Sequence, residues 1–374
     1  MSTDVSHIAI VIGSMRMGGA ERATLNLVNG FAEMGIRCDL VLVKTEGVFL
    51  GELHPEVNIV SLGRGRALFS GFALSRYLKR IRPQLIIANQ THVHLLTLWS
   101  RNRTAKNIPV ILNEHSLISR NLKKGSWKTK LIMFLAHRWF KSANAVSAVS
   151  QGVADEFVNN FPELISKTTL VYNPVVNDEL IKKSYENINL PWPNENPIPV
   201  VLGAGRLVPD KDFKNLIEAL SMLRIKRRVR LVILGDGPER DELMNIAQQL
   251  NFGSDISFQG NISNPFAWMR SCSMFVLPSR REGLPMTLIE AIACDCPVVS
   301  TDCQSGPGEI LNGGLYGKLV PVGDPVAMAK AIEETLDNKG IDFDKGTALK
   351  PFLVSSVCEN YLALIQKLLS EKSF

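Results

Sequence analysis

Hydrophobic residues in the first half of the chain form short continuous runs separated by amphipathic segments. The runs Ile8–Ile12, Asp39–Val43 and Leu85–Ala88 predict buried strands. Between them lie Ala20–Glu33 and Phe72–Ile81, whose apolar residues recur at helical spacing. Short apolar strands that alternate with helices are typical of a parallel sheet covered on both faces. Two further strands are predicted at 58–61 and 110–113.

The segment Asn187–Pro199 separates this half from a second half with the same pattern. Its four prolines cannot continue a helix or a central strand, so it predicts a domain linker. We therefore predict an α/β fold of two doubly wound, Rossmann-like domains, 1–185 and 186–352, that face each other across a cleft. In the second half, strands are predicted at 199–203, 230–234, 256–259, 274–277 and 297–300, and helices at 213–223, 238–250, 285–293, 325–337 and 353–369.

Size, cysteine usage and charge narrow the class of protein. A chain of 374 residues suits two domains, and no stretch approaches the roughly 18 uncharged apolar residues that a membrane span needs. The N-terminus lacks the basic cluster of a signal peptide, and the six cysteines are scattered, so we expect reduced thiols in a cytoplasmic protein. Cys294, Cys296 and Cys303 lack the second pair typical of a zinc site. The net charge of +6 favours an anionic partner, whether nucleic acid, phosphorylated substrate or acidic membrane.

Candidate chemistry lies in loops that follow predicted strands, where doubly wound domains bind ligands. The loop Gly203–Asp212 carries Arg206 and Lys211, an Arg fork and a Lys point charge suited to clamping a diphosphate. A solvated loop with ordinary charges is the alternative. The run Asp210-Lys211-Asp212 also matches an Asp-x-Asp metal pattern, but its lysine would repel a cation. We therefore expect phosphate contact and no metal ion.

Two glycine-rich loops are less specific. Gly235–Arg240 ends a strand and opens a helix, so it either borders a nucleotide or is a simple turn. Gly13–Arg22 follows the first strand, but its spacing fails Gly-x-Gly-x-x-Gly and no convincing ribose-binding acid follows the second strand. It suits a phosphate or acceptor loop better than a hydride-transfer cofactor site.

The segment Arg281–Ala291 combines two glutamates with a helix start. Glu282 lies at the end of a predicted loop, and Glu290 lies two turns into the helix that follows. Gly283 lets backbone approach a ligand, and the free N–H groups of the helix start form an anion site. Glu290 shares its helix face with apolar residues, so we expect it to be half buried and to need a partner. The alternative is a solvated glutamate and a capping glutamate.

Together, these loops resemble those of glycosyltransferase family 4, retaining enzymes of the GT-B fold, of the kind that builds bacterial surface polysaccharides. The resemblance covers about residues 8–335 and rests on four motifs. It implies a nucleotide-sugar donor site without a metal ion or other cofactor, and a C-terminal helix, about 353–374, that crosses back onto the first domain. The motifs are Gly18–Arg22, Gly205–Leu207 with Lys211, Gly235–Pro238 and Glu282–Glu290.

The resemblance implies roles for the residues of the second domain. Arg206 and Lys211 would grip the donor diphosphate and stabilise its departing charge. Glu290 would bind the nucleotide ribose, and Glu282 would contact the donor sugar ring. The remaining implied donor-binding residues are Gly283 and Leu284.

Two residues of the first domain complete the implied site. His115 follows a buried strand and matches the family histidine near the sugar being transferred. A hydrogen-bonded core histidine is the alternative. Gly19 would bring a backbone N–H near the phosphates. The implied reaction moves a hexose or N-acetylhexosamine from a UDP-sugar to an acceptor hydroxyl with retention of configuration, and the diphosphate clamp supplies most of the catalysis.

A basic, aromatic-containing stretch of the first domain points to the acceptor. An amphipathic segment, Leu131–Lys141, follows it, and such a stretch fits an anionic membrane surface. A core-facing helix with solvated lysines is the alternative. We hypothesise a polyprenyl-diphosphate-linked glycan acceptor and a protein that is peripheral on the inner face of the cytoplasmic membrane. The residues predicted for this face are Arg120, Lys123, Lys124, Trp127 and Lys128.

Other classes of function fit the sequence less well. A UDP-sugar epimerase shares the two-domain architecture and would form sugar isomers without an acceptor. A non-catalytic subunit would bind nucleotide sugars only, although the donor motif is complete. Nucleic-acid binding is not expected, because the positive charge is dispersed and no recognised module carries aromatic platforms.

Overall fold

A computed structural model describes residues 5–63, 67–118, 127–192, 198–338 and 340–371. The chain divides into two compact units: Met1–Pro174 with Phe352–Phe374, and Val175–Pro351. Each unit contains one sheet of parallel strands with helices between them. The predicted fold class, two doubly wound α/β domains, is confirmed.

The first unit is built on a seven-stranded parallel sheet. Its strands are β1 (His7–Ile12), β2 (Arg37–Leu42), β3 (Asn58–Ser61), β4 (Leu85–Asn89), β5 (Val110–Glu114), β6 (Ala145–Ala148) and β7 (Thr168–Leu170). They lie in the order β3-β2-β1-β4-β5-β6-β7, so the order reverses between β1 and β4. The helices of this unit are α1 (Gly19–Glu33), α2 (Ala67–Ile81), α3 (Thr91–Thr104), α4 (Trp127–Trp139) and α5 (Gln151–Asn160), and α14 (Val354–Ser370) returns to it from the end of the chain.

Separate apolar clusters cover the two faces of this sheet. Ile8, Ile10 and Ile12 belong to one cluster, and Ala9 and Val11 belong to the other. The alternation follows because successive side chains of a strand point to opposite faces. Both sets are fully buried, which explains why β1 is a continuous apolar run in the sequence.

The C-terminal helix α14 packs on α1 within the first unit. Gly30 allows this approach, since a Cβ there would lie 2.6 Å from Val354 Cγ1 and 2.7 Å from Cys358 Sγ. The Tyr361 ring is buried and packs edge-on against Phe31, with the ring centroids 6.4 Å apart. Through Tyr361, the last helix contributes to the core that covers one face of the first sheet.

The second unit has a six-stranded parallel sheet in the order β10-β9-β8-β11-β12-β13. The strands are β8 (Val200–Ala204), β9 (Arg230–Leu234), β10 (Ile256–Gly260), β11 (Met274–Leu277), β12 (Val298–Thr301) and β13 (Lys318–Val320). The helices are α6 (Asp178–Ser184), α7 (Phe213–Leu223), α8 (Arg240–Gln249), α9 (Pro265–Ser271), α10 (Met286–Ala293), α11 (Pro307–Ile310), α12 (Pro325–Asn338) and α13 (Lys345–Leu349).

The boundary between the units lies after Pro174, whereas the proline-rich segment predicted it after residue 185. The reason is that α6 packs against α9. The Arg270 Nε donates to Ser184 Oγ at 2.8 Å, and the Asn264 Nδ2 donates to the Lys183 carbonyl at 2.9 Å. These contacts hold α6 to the second unit. Within the described residues, no helix combines the length and hydropathy that crossing a membrane requires.

Candidate functional site

A buried ion pair joins two loops at the carboxyl end of the second sheet. Lys211 lies in the loop after β8, and Glu282 lies in the loop after β11, two strands that pair with each other. The Lys211 Nζ lies 2.6 Å from the Glu282 Oε1, and the side chains are 17% and 5% exposed. The Ser279 hydroxyl donates to the same Oε1 at 2.6 Å. The structure thus brings together two predicted site residues, and it adds Ser279, which the sequence analysis missed.

A second ion pair fixes the same two loops. The Arg280 Nε lies 2.8 Å from the Asp212 Oδ2, and the Arg280 backbone N–H donates to the Asp210 carbonyl at 2.8 Å. Asp212 is buried and adopts a left-handed backbone conformation, with φ of +46°. The sequence analysis did not predict this pair. The one hint in the sequence is that Arg280 directly precedes the predicted site segment that begins at Arg281. The second carboxylate of the Asp-x-Asp run is therefore engaged by an arginine.

The glycine loop after β9 packs directly against the loop after β8. A Cβ on Gly235, whose φ is +122°, would lie 2.0 Å from the Gly205 carbonyl oxygen. A Cβ on Gly237 would lie 2.3 Å from the Leu207 carbonyl oxygen. Glycine is required at both positions because the backbones of the two loops touch. This contact explains the glycine motif without any bound ligand.

Arg206 lies outside this network of ion pairs. Its side chain is exposed and makes no ion pair with the residues that the structure describes. A guanidinium without a carboxylate neighbour keeps its full charge for an anionic ligand.

Glu290 is buried on α10, with 8% of its surface exposed. Burial, with the Glu290 carboxylate as the next cause, raises the pKa of the Cys294 thiol to about 12. Gly283 and Leu284 are also buried, and the Ser305 hydroxyl donates to the Gly283 carbonyl at 2.7 Å. Glu290 is therefore buried more deeply than the half-buried position that the sequence predicted.

A polar network lies at the carboxyl ends of β4, β5 and β6 in the first unit. The Asn113 Nδ2 donates to the Asn89 Oδ1 at 2.8 Å. The His115 Nε2 lies 2.9 Å from the Asn89 Oδ1 and 3.0 Å from the Asn113 Nδ2. The Ser147 hydroxyl donates to the Asn113 Oδ1 at 3.1 Å, and the Tyr361 hydroxyl lies 3.2 Å from Ser147 Oγ. Of these side chains, His115 alone was predicted as a site residue.

Burial shifts the pKa values of His115, within this network, and of His94 and Glu114, beside it. It lowers the pKa of His94 to about 3 and that of His115 to about 4, although the nearby Asn173 side chain acts in the opposite direction on His115. Burial raises the pKa of Glu114 to about 8. The His94 Nδ1 lies 3.7 Å from the Glu114 Oε2, so at neutral pH this contact joins two largely uncharged groups rather than an ion pair.

The loop before α1 contains one open and one crowded glycine. Gly19 is exposed, and a Cβ there would meet no atom within 4 Å. Gly18 is crowded, since a Cβ there would lie 2.3 Å from the Glu21 Oε2. The Gln90 Nε2 donates to the Glu21 Oε1 at 2.9 Å. Burial raises the pKa of the Glu21 carboxyl.

The predicted membrane face falls mostly outside the described residues. Arg120, Lys123 and Lys124 lie there, and the side chains of Trp127 and Lys128 are not described either, although α4 begins at residue 127. Farther along α4, the side chains of Leu131 and Phe134 are 48% and 68% exposed.

The cysteines are dispersed in the two cores. All six are free and buried, including the three near residues 294–303. Among the described residues, no group of three or more His, Cys, Asp or Glu side chains is close enough to hold a metal ion.

Two protein-family models match the chain. The model described as "Glycosyltransferase Family 4" matches residues 17–179, and the one described as "Glycosyl transferases group 1" matches residues 188–347. A Campylobacter jejuni relative, named N-acetylgalactosamine-N,N'-diacetylbacillosaminyl-diphospho-undecaprenol 4-alpha-N-acetylgalactosaminyltransferase, is 27% identical over 89% of this chain and 91% of its own length. The Escherichia coli lipopolysaccharide 1,6-galactosyltransferase is 26% identical over 82% of each chain.

The fold also matches a solved structure. Anabaena HepE, crystallised in complex with UDP, has a TM-score of 0.77 and 19% identity, over 96% of this chain and all of its own. Its similarity supports the same two-domain fold. With one family model on each half, the chain belongs to glycosyltransferase family 4 and is a glycosyltransferase.

Proposed function

We propose that this protein moves a hexose or N-acetylhexosamine from a UDP-sugar to a lipid-linked glycan acceptor in bacterial surface polysaccharide biosynthesis, with retention of the anomeric configuration. The names of the relatives support the acceptor class, since one acts on a diphospho-undecaprenol-linked glycan and another on lipopolysaccharide. The complex of HepE with UDP supports the nucleotide. The observation that carries the proposal is the Lys211–Glu282 pair at the carboxyl end of the second sheet, where doubly wound domains bind ligands.

Two cations are available to stabilise the leaving diphosphate. The exposed Arg206 guanidinium has no carboxylate partner among the described side chains, so its charge is free for a phosphate oxygen. Lys211 is held in place by Glu282, which orients its Nζ before the reaction. Charge develops on the diphosphate as the glycosidic bond breaks, and prearranged cations stabilise that charge most when they need not reorganise.

The carboxylates of the site position the donor. Glu282 has one oxygen engaged by Lys211 and Ser279, and its other oxygen accepts hydrogen bonds from sugar hydroxyls. Glu290, with the backbone of Gly283 and Leu284, binds the ribose. No metal ion takes part, because Arg206 and Lys211 already supply two positive charges and Arg280 engages the Asp212 carboxylate. Full transfer activity in the presence of EDTA is the expected result.

Transfer assays test the donor assignment. UDP-sugars are first screened for binding by saturation-transfer NMR, and the binders are then assayed with lipid-linked acceptors. Replacing Arg206 or Lys211 by Ala removes one stabilising donor, so we expect kcat to fall roughly 10²–10³-fold. Lys214→Ala is the matched control, since Lys214 is an exposed lysine three residues from Lys211. Unchanged transfer by Arg206→Ala, Lys211→Ala or Glu290→Ala would contradict the assignment.

The same assay separates the alternative functions. A UDP-sugar epimerase would produce an isomeric sugar nucleotide when no acceptor is present. A non-catalytic subunit would bind the nucleotide sugar without turnover. Transfer that depends on the acceptor and conserves the α-configuration of the donor is the outcome that the proposal requires.

We further propose that the first unit rests on the inner face of the cytoplasmic membrane. Leu131 and Phe134 are exposed apolar residues on one helix, next to the exposed Lys130, and this combination suits an anionic lipid surface. Flotation with anionic vesicles at low salt should retain the wild-type protein, and Phe134→Ser should weaken binding. Ile225→Ser, at an 87% exposed position of the second unit, should have no effect. Equal flotation of both variants would contradict the proposed face.

A further inference from the structure

Two hydrogen-bond donors converge on a single oxygen of Glu282. The Lys211 Nζ and the Ser279 hydroxyl both lie 2.6 Å from Oε1, and they belong to the loops after β8 and β11. Each carboxylate oxygen has two lone pairs, so these two donors use the hydrogen-bonding capacity of Oε1. Among the described residues, no donor lies within hydrogen-bond distance of the second oxygen, Oε2. The two oxygens of this carboxylate are therefore in different environments.

The Ser279 hydroxyl fixes the plane of the carboxylate. The terminal torsion of a glutamate is broad, so a single donor does not set its orientation. With Lys211 alone, the carboxylate can turn until both oxygens straddle the ammonium group, and neither oxygen is then left for a ligand. A second donor at Oε1 removes this freedom. Ser279 is fully buried, so water does not compete for its proton.

The position of Ser279 is set in turn by Thr301. The Thr301 hydroxyl, at the end of β12, donates to the Ser279 carbonyl oxygen at 2.5 Å, and Thr301 is also fully buried. Because β12 pairs with β11, this hydrogen bond fastens the loop after β11 to the neighbouring strand. A chain of contacts thus runs from the sheet through Ser279 to the Glu282 carboxylate.

We propose that Ser279 is a positioning residue for the donor sugar, which holds Glu282 so that Oε1 stays with Lys211 and Oε2 is a fixed acceptor for one sugar hydroxyl. The inference rests on the proposed function for the identity of that ligand. Lys211 has three ammonium protons, so it donates one to Oε1 and keeps two for phosphate oxygens. Ser279 thereby gives the two members of one ion pair separate tasks, the diphosphate for Lys211 and the sugar for Glu282.

Binding measurements separate this positioning role from a merely structural one. In Ser279→Ala, Lys211 keeps its carboxylate partner, so the affinity for UDP in isothermal titration calorimetry should be unchanged. The affinity for the UDP-sugar should fall about tenfold, roughly the effect of one lost hydrogen bond to a charged group. Ser300→Ala is the matched control, since Ser300 is equally buried but donates to the Thr301 carbonyl. Equal losses for UDP and the UDP-sugar, or no loss for either, would overturn the proposal.

Donor analogues that each lack one ring hydroxyl identify the group that Oε2 binds. In the wild type, one analogue should bind about tenfold more weakly than the complete UDP-sugar, because it offers no hydroxyl to Oε2. In Ser279→Ala, that analogue and the complete UDP-sugar should bind equally well. A loss of similar size in both proteins would refute the link between Ser279 and the sugar.

The variant Thr301→Val tests the same chain of contacts even where Ser279→Ala does not fold. It keeps the shape of the threonine and leaves the serine hydroxyl in place, but it removes the hydrogen bond to the Ser279 carbonyl. We expect a weaker affinity for the UDP-sugar and an unchanged affinity for UDP. The double variant Ser279→Ala/Thr301→Val should bind no more weakly than Ser279→Ala, because both changes act through one contact. Additive losses would contradict that chain.

Transfer kinetics distinguish this inference from the proposed function. Ser279→Ala should lower kcat/KM for the donor about tenfold, and a saturating acceptor should not restore it. Normal transfer by Ser279→Ala would refute the positioning role and leave the proposed donor and reaction intact. A wild-type protein that bound UDP but no UDP-sugar would refute the proposed donor, and with it the assignment of Oε2 to a sugar hydroxyl.

Discussion

The Lys211–Glu282 pair provides a quantitative test of how the second unit is stabilised. Lys211→Met keeps most of the side-chain volume and removes the charge. The partner, Glu282, is 5% exposed, and the Ser279 hydroxyl also donates a hydrogen bond to it. Removing one member of a buried pair costs about 3–5 kcal/mol, because the other charge stays desolvated. Since Lys211 is itself 17% exposed, we expect the lower end, about 3 kcal/mol.

Calorimetric unfolding of the full chain measures this loss. For a unit of this size, about 3 kcal/mol corresponds to a fall in Tm of about 6–12 °C. The double variant Lys211→Met/Glu282→Gln should be more stable than the sum of the single effects predicts, by at least about 1 kcal/mol, because it leaves no unpaired charge. The control Lys214→Met breaks the exposed Lys214–Glu218 pair, at 3.9 Å, and should cost less than about 0.5 kcal/mol. Equal Tm values for Lys211→Met and Lys214→Met, or additive effects in the double variant, would refute the reasoning.

Three further tests concern other buried features. Gly235→Ala should prevent folding or lower the stability by several kcal/mol, because its Cβ would lie 2.0 Å from the Gly205 carbonyl oxygen. The control is Gly253→Ala, since Gly253 also has a positive φ but lies in open space. This control should cost only about 1–2 kcal/mol in thermal unfolding. Burial raises the pKa of Glu114 from 4.5 to about 8, so the protonated form stabilises the fold and this contribution is lost as pH rises through that window. Melting curves should show the stability of Glu114→Gln rising relative to that of the wild type as pH increases over this range, by at most about 1.4 kcal/mol per pH unit. A stability difference that does not change with pH would contradict the raised pKa of Glu114. A thiol reagent should label none of the six buried cysteines in the native protein, and rapid labelling without denaturant would contradict their placement.

The local pattern of the sequence determined the secondary structure of the second unit closely. The helix Phe213–Leu223 and the strands Arg230–Leu234 and Met274–Leu277 have the predicted bounds. These segments are buried, so their apolar residues show the period of a helix or the continuous run of a central strand. The strands Ala145–Ala148, Thr168–Leu170 and Lys318–Val320 were missed, because each has only three or four residues and none contains a long apolar run.

The tertiary structure decided the contacts of the candidate site. The glycine and charged motifs identified Lys211 and Glu282 as candidate site residues. The sequence does not show that the two side chains pair, because they are 71 residues apart. It likewise does not connect Ser147 with Tyr361, 214 residues away. The boundary after Pro174 also depends on where α6 packs. Residue types and local spacing specify which groups are present, whereas burial, partner and protonation state arise when the parallel sheets bring strand ends together.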